Sequence, residues 1–177
     1  MAQREFQAVL DAGLASVPHV SGLNNHMGSA LTQQARAMDW VMAWMRENGG
    51  LYFVDSLTSA RSVALQSANE AGLRAIGRDV FLDASTNSDD IREQFQRLVK
   101  LARERGTGLG IGHPYPETLS VLRNVLLRPS YYGVRLVPVR ELIARRGAAV
   151  HARARFTRPG RYWRARYANN AIIEIPR

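Results

Sequence analysis

Apolar residues return along this chain in two alternating patterns. Compact apolar runs, "SVPHVSGL", "LYFVDS", "DVFLD", "GLGIGH" and "YYGVRLVPV", read as strands. Between them, apolar positions recur at helical spacing. The opening "MAQREFQAVLDAGLASV" puts Phe6, Val9, Leu10 and Leu14 on one helical face. Met38, Val41, Met42 and Met45 do the same from Gln33 to Asn48, where Gly49-Gly50 stops the helix. Ser59 to Ala71 reads as a helix with Val63, Ala64 and Ala68 inward and Gly72 as its glycine cap. Ser88 is a candidate cap for a helix with the face Ile91, Phe95, Leu98, Val99 and Ala102, with Asp89 and Asp90 in its first turn. Gly106 ends that helix. Pro116 starts the next, with Leu119, Leu122, Val125 and Leu126 inside. The fifth strand leads into "RELIARR".

Strands separated by helices of this length predict βαβ units and a parallel sheet. Strands apolar on both faces suit a sheet covered by helices. From Gly147 the periodicity fades, and the chain divides into a domain at 1–146 and a weakly structured tail at 147–177.

Charge sharpens that division. The formal net charge is +9, and the tail carries most of it: seven arginines against the single acid Glu174. Phe156, Tyr162, Trp163 and Tyr167 are interleaved with these arginines, a pattern that also fits nucleic acid. The rest of the chain is only mildly basic and shows no matching basic face, so nucleic acid ranks as the minor alternative. Cysteine is absent, which removes disulfides, thiolate metal sites and a cysteine nucleophile. No stretch approaches the roughly 18–20 apolar residues of a membrane span. No signal segment opens the chain, which would leave it in the cytoplasm if its start is genuine.

In parallel α/β folds, functional loops lie beyond the C-terminal ends of strands. Four of the predicted strands end in polar residues: Asn24-Asn25-His26, Asp55-Ser56, Asp83, and His113-Pro114. A rim bearing two histidines and two aspartates suits metal-assisted hydrolysis. Each group also has a plainer use. His26 would serve in a polar turn, Asp55 and Ser56 as caps of the next helix, and Asp83 as an acidic loop entry. His113 is the sharper signal, since Pro114 holds it extended. Gly108, Gly110 and Gly112 leave one strand face bare for close approach. His19 and His151 are assigned no chemistry.

The motifs "GLNNHMGSALT", "YFVDSLTSARSVALQSANEAG", "RDVFLD" and "IGHPYPETL", in this order, resemble the divergent polysaccharide deacetylase family. The resemblance covers Pro18 to Ile143. It implies a parallel-stranded α/β fold, a partial (β/α) barrel of the polysaccharide deacetylase type. The related active enzymes remove acetyl groups from N-acetylated sugars with a divalent metal, here expected to be zinc. They use an Asp-His-His metal triad, an aspartate base and a histidine acid. Carried onto this chain, the resemblance puts His26 at a metal position. His113 becomes the histidine that protonates the leaving amine, and Asp55 and Asp83 become the acidic positions that support catalysis. Asn24, Asn25, Ser56 and Ser59 fall among the substrate-binding positions. The implied partner is a carbohydrate or polysaccharide, and the implied location is the periplasm or cell envelope.

Two departures temper this. Active relatives carry a second metal-binding histidine four residues after the first, where this chain has Ala30. The family also has an earlier strand ending in paired acids, whereas this chain begins at the helix before "NNH". A complete barrel of this kind takes roughly 200–250 residues. The expected fold therefore lacks its N-terminal strands, with weak metal binding and little deacetylase turnover. A non-catalytic domain that binds a glycan or an envelope partner is the alternative.

Overall fold

A computed structural model describes residues 2–154 and 171–174. The tail aromatics Phe156, Tyr162, Trp163 and Tyr167 lie outside the described residues. The chain forms two compact units, Met1–Gly77 and Arg78–Arg177.

The first unit holds α1 (Gln3–Ala15), β1 (Gly22–Asn24), α2 (Ala35–Asn48), β2 (Tyr52–Asp55), α3 (Ala64–Glu70) and β3 (Arg74–Gly77). Its three strands are parallel in the order β1-β2-β3. Every residue of the central strand β2 is buried, as expected of a strand covered on both faces. Helix α2 buries Ala37, Met38, Val41, Met42, Trp44 and Met45, a single stripe at helical spacing. These residues form the core with Leu51, Phe53, Ala64 and Ala68. Phe6, Leu10 and Leu14 of α1 pack on this core, and Trp44 Nε1 donates to Asp11 Oδ1 at 2.7 Å, tying α1 to α2.

Three details differ from the sequence pattern. Strand β1 is short, and His19 sits ahead of it in a turn with φ 58° rather than within a strand. Helix α3 starts at Ala64, because residues 58–61 form a bend and a turn ahead of it. Strand β3 carries no long apolar run, since only Ile76 is fully buried. Its pairing with β2 makes it a strand.

The second unit holds β4 (Val80–Phe81), α4 (Ser88–Arg105), β5 (Gly110–Ile111), α5 (Pro116–Leu126), a 3-10 turn at Pro129–Tyr132, β6 (Arg135–Pro138), α6 (Val139–Ala154) and β7 (Ala171–Glu174). Strands β4 and β5 are parallel, whereas β6 and β7 are antiparallel. The core comprises Val80, Leu82, Phe95, Leu98, Val99, Val125 and Val134, with Tyr132 edge-on to Phe95 at 5.2 Å. Asn87, not Ser88, caps α4: its side chain accepts from the N–H of Asp89 at 2.8 Å and of Asp90. The bare glycine face is filled by this helix, for a Cβ on Gly108 or Gly110 would lie within 2.9 Å of Leu98.

Helix α6 runs on through Arg146 to Ala154 although the apolar spacing there has no helical period. Arg146 holds it down, pairing with Asp79 and donating from Nε to Thr107 Oγ1 at 3.1 Å. Asp79 Oδ2 also accepts the Leu109 N–H at 2.7 Å, so one carboxylate joins β4, the start of β5 and α6. Among the described residues the strands are mixed with six helices and close no barrel, as a partial barrel requires. No helix among them is long and apolar enough to cross a membrane.

Candidate active site

In the first unit the β1 and β2 loops are stitched together by side chains. Asn24 Nδ2 donates to Ser56 Oγ, and the Ser56 N–H donates to Asn25 Oδ1 at 2.7 Å. Ser29 Oγ donates to Thr58 Oγ1 at 3.0 Å. Ser59 accepts the Arg61 N–H at 3.1 Å, closing a local turn. Met27 and Leu57, one in each loop, have φ near 50°, a left-handed conformation that non-glycine residues adopt at a cost. Across the gap between the loops run one backbone donor, the Ser56 N–H, and two side-chain pairs.

Asp55 lies beneath this arrangement, fully buried. Its Oδ1 accepts the Leu57 N–H at 2.9 Å. Its Oδ2 accepts the Ser62 hydroxyl at 2.8 Å and the Leu65 N–H at 3.2 Å. The carboxylate thus caps the start of α3 and fixes the strained turn at Leu57. His26 is exposed in the bend that follows Asn25. Ala30, one turn further on, offers no ligand atom.

The second unit places Asp83 and His113 together. Asp83 Oδ2 accepts the His113 N–H and the Thr118 hydroxyl, the latter at 2.8 Å. Its Oδ1 lies 3.1 Å from His113 Nδ1. The Asp83 side chain is 0% exposed and that of His113 is 28% exposed. Facing a carboxylate, Nδ1 is placed to donate in this pair, and Nε2 is the ring nitrogen outside it. The imidazole meets two rings, Phe81 edge-on at 5.6 Å and Tyr115 at 5.0 Å. Gly112 makes room: a Cβ there would stand 3.1 Å from Asp83 Oδ2.

The structure therefore unites Asp83 with His113, and Asn24 and Asn25 with Ser56. Two residues that shape these clusters escaped the sequence reading, Ser62 and Thr118. Thr118 carried a signal, since it shares the inner face of α5 with Val121 and Val125. A hydroxyl on such a face needs a partner. A cleft of about 410 Å³ in the second unit runs along β4 and α4, lined by Arg78, Phe81, Asp90, Glu93 and Arg97 among others. It includes neither Asp83 nor His113.

The metal site implied by the resemblance needs several ligands on one ion. Among the described residues no three His, Cys, Asp or Glu side chains form such a group. Both Asp55 oxygens already accept hydrogen bonds from the chain, and Asp83 binds His113. The described donors do not fit a metal triad.

A histidine bonded to a buried carboxylate stands beyond the ends of two parallel strands, β4 and β5. The chain belongs to the divergent polysaccharide deacetylase family, whose family model matches residues 1–143. It is 40% identical over 126 residues to the uncharacterized protein YibQ of Escherichia coli K12, covering 71% of this chain and 39% of that protein. It is 42% identical over 102 residues to an uncharacterized protein of Haemophilus influenzae, covering 58% of this chain and 36% of that one. The chain thus spans less than half the length of these curated relatives. The crystal structure of the uncharacterized protein ATU2773 from Agrobacterium tumefaciens C58 is similar at a TM-score of 0.69 with 22% identity, over 73% of this chain and 52% of that one. That likeness shows the shared fold.

Proposed function

We propose that this chain is a carbohydrate-directed domain of the deacetylase type, in which His113 is the proton donor and Asp83 its positioning residue. The observation that carries this reading is the buried Asp83 carboxylate on His113 Nδ1. In the reaction proposed, water adds to the acetamide carbonyl of an N-acetylated sugar and gives up a proton to His113 Nε2 as it does so. The C–N bond then breaks as Nε2–H protonates the departing nitrogen, giving acetate and a free amine. Asp83 keeps the ring in the orientation and tautomer this transfer needs.

A zinc ion enters this reading only through His26. With Ala30 one turn on and Asp55 bonded to its own loop, zinc binding is expected to be no tighter than millimolar. Calorimetric titration showing tighter binding that vanishes in His26→Ala would reverse this. Within the first unit, Asn24, Asn25, Ser56 and Ser59 enter the proposal as sugar-binding groups, and a periplasmic or envelope location belongs to it as the place where such polymers lie.

Acetate release from chitooligosaccharides is the direct test. Turnover is expected to be slow, and His113→Gln is expected to lower it by about 100-fold or more, the usual scale for general acid catalysis. Equal turnover by that variant would remove His113 from the mechanism. The bonding of Asp55 within its loop favours a second reading, a glycan-binding domain without chemistry. Saturable oligosaccharide binding with no acetate released would establish it.

A further inference from the structure

We infer that Tyr115 is a stacking platform for a sugar ring, placed beside His113 by the two prolines that flank it. The inference rests on the carbohydrate reading above, in either its catalytic or its binding form. It starts from the sequence His113-Pro114-Tyr115-Pro116. Both His113 and Tyr115 precede a proline, so both are held extended. Tyr115 has φ −67° and ψ 147°, and the helix α5 begins immediately after it, with Pro116 in its first turn. Its backbone has little freedom, and the Leu119 N–H donates to its carbonyl at 2.9 Å.

A tyrosine fixed this firmly would be expected to bury its ring, yet Tyr115 is 41% exposed, and Leu119 one turn along is 48% exposed. One side of the ring is accounted for by the imidazole, 5.0 Å away and inclined by 33°. The exposed part is a rigid apolar surface that costs little ordering entropy when it is covered. Sugar rings offer a complementary surface, a patch of C–H groups on one face with hydroxyls around the edge. An aromatic platform next to a proton donor would hold a pyranose so that its ring substituent reaches the donor. Phe81 also meets the imidazole, edge-on at 5.6 Å. Tyr131, in the same unit, is 81% exposed but meets Tyr132 edge-on rather than the histidine, which makes it the natural control.

Chitotetraose binding to the full chain is measured by calorimetry and by saturation-transfer NMR. Tyr115→Ala is expected to weaken binding by about fivefold or more, the scale of a lost aromatic contact. It should also remove saturation transfer to the axial H1, H3 and H5 protons of one sugar ring. Tyr115→Phe and Tyr131→Ala are expected to stay within about twofold of the parent, since the ring face and not the hydroxyl carries the contact. Matching thermal unfolding of the variants separates contact loss from misfolding, and Tyr115→Leu, which removes the ring face but keeps apolar bulk, is expected to show the same loss if Tyr115→Ala does not fold. Unchanged binding and transfer in Tyr115→Ala overturns the platform and leaves the carbohydrate reading standing. Failure of the parent chain to bind any β-linked N-acetylated oligosaccharide overturns both.

Discussion

Two strand ends in this molecule carry a buried aspartate, and they use it differently. Asp55 ends β2, and every hydrogen bond described for it returns to the loop and helix that directly follow: Leu57, Ser62 and Leu65. Asp83 follows β4 and reaches across to the next strand end, where it binds the backbone and ring of His113 and the hydroxyl of Thr118. The first aspartate builds a loop. The second orients a side chain that can transfer a proton. The same residue type in the same topological position therefore gives no role until its partners are known.

The comparison breaks first at Asp83. Asp83→Asn keeps the shape but puts an amide opposite Nδ1, and it is expected to lower any acetate release by about 10- to 100-fold, as for loss of a carboxylate that orients a histidine. Asp55→Ala should instead appear as lost stability, by about 2–4 kcal/mol, because two N–H groups and a hydroxyl lose their acceptor. Urea unfolding of both variants beside the acetate assay decides the matter. If Asp55→Ala keeps its stability and loses activity, the assignment of the two aspartates is wrong.

The smallest effect concerns a carboxylate with neither role. Glu141 is held below the ordinary carboxylate range, first by its hydrogen bond to Arg145, then by that to Arg135. Because its folded value is lowered, the stability it contributes is present above the unfolded-state value, near 4.5, and is lost as pH falls through the folded value. It is substantially exposed, so the effect should stay below about 1 kcal/mol. Glu141→Gln should flatten acid-limb stability between pH 5 and 2 by that amount and leave neutral-pH behaviour of both aspartates alone. A larger change would mean that Glu141 is coupled to buried structure.

Much of the fold was legible along the chain. Helices α2 and α4 announce themselves by apolar stripes, and the residues those stripes select are buried. In α5 the stripe misplaced the inner face: Leu119 and Leu126, expected inside, are exposed, and Thr118, Val121 and Val125 are buried instead. The sheet was legible where strands are buried on both faces, as in β2. Strand β3 was not, because "RAIG" buries one residue fully and owes its conformation to pairing with β2. The extent of α6 was hidden for a similar reason: Asp79 and Thr107, distant in sequence, hold its Arg146.

For the candidate site, the chain by itself determined which residues stand at strand ends, because apolar runs and the residues that break them are local properties. It placed His113 and Tyr115 before prolines, which restricts their backbones whatever surrounds them. It also determined the family, through four motifs in order. Only the tertiary structure decided that Asp83 meets His113 while Asp55 turns back on its own loop. A carboxylate's partner is set by which strand ends become neighbours, and that depends on the packing of α4 against the glycine face of β5. No pattern within either segment encodes it.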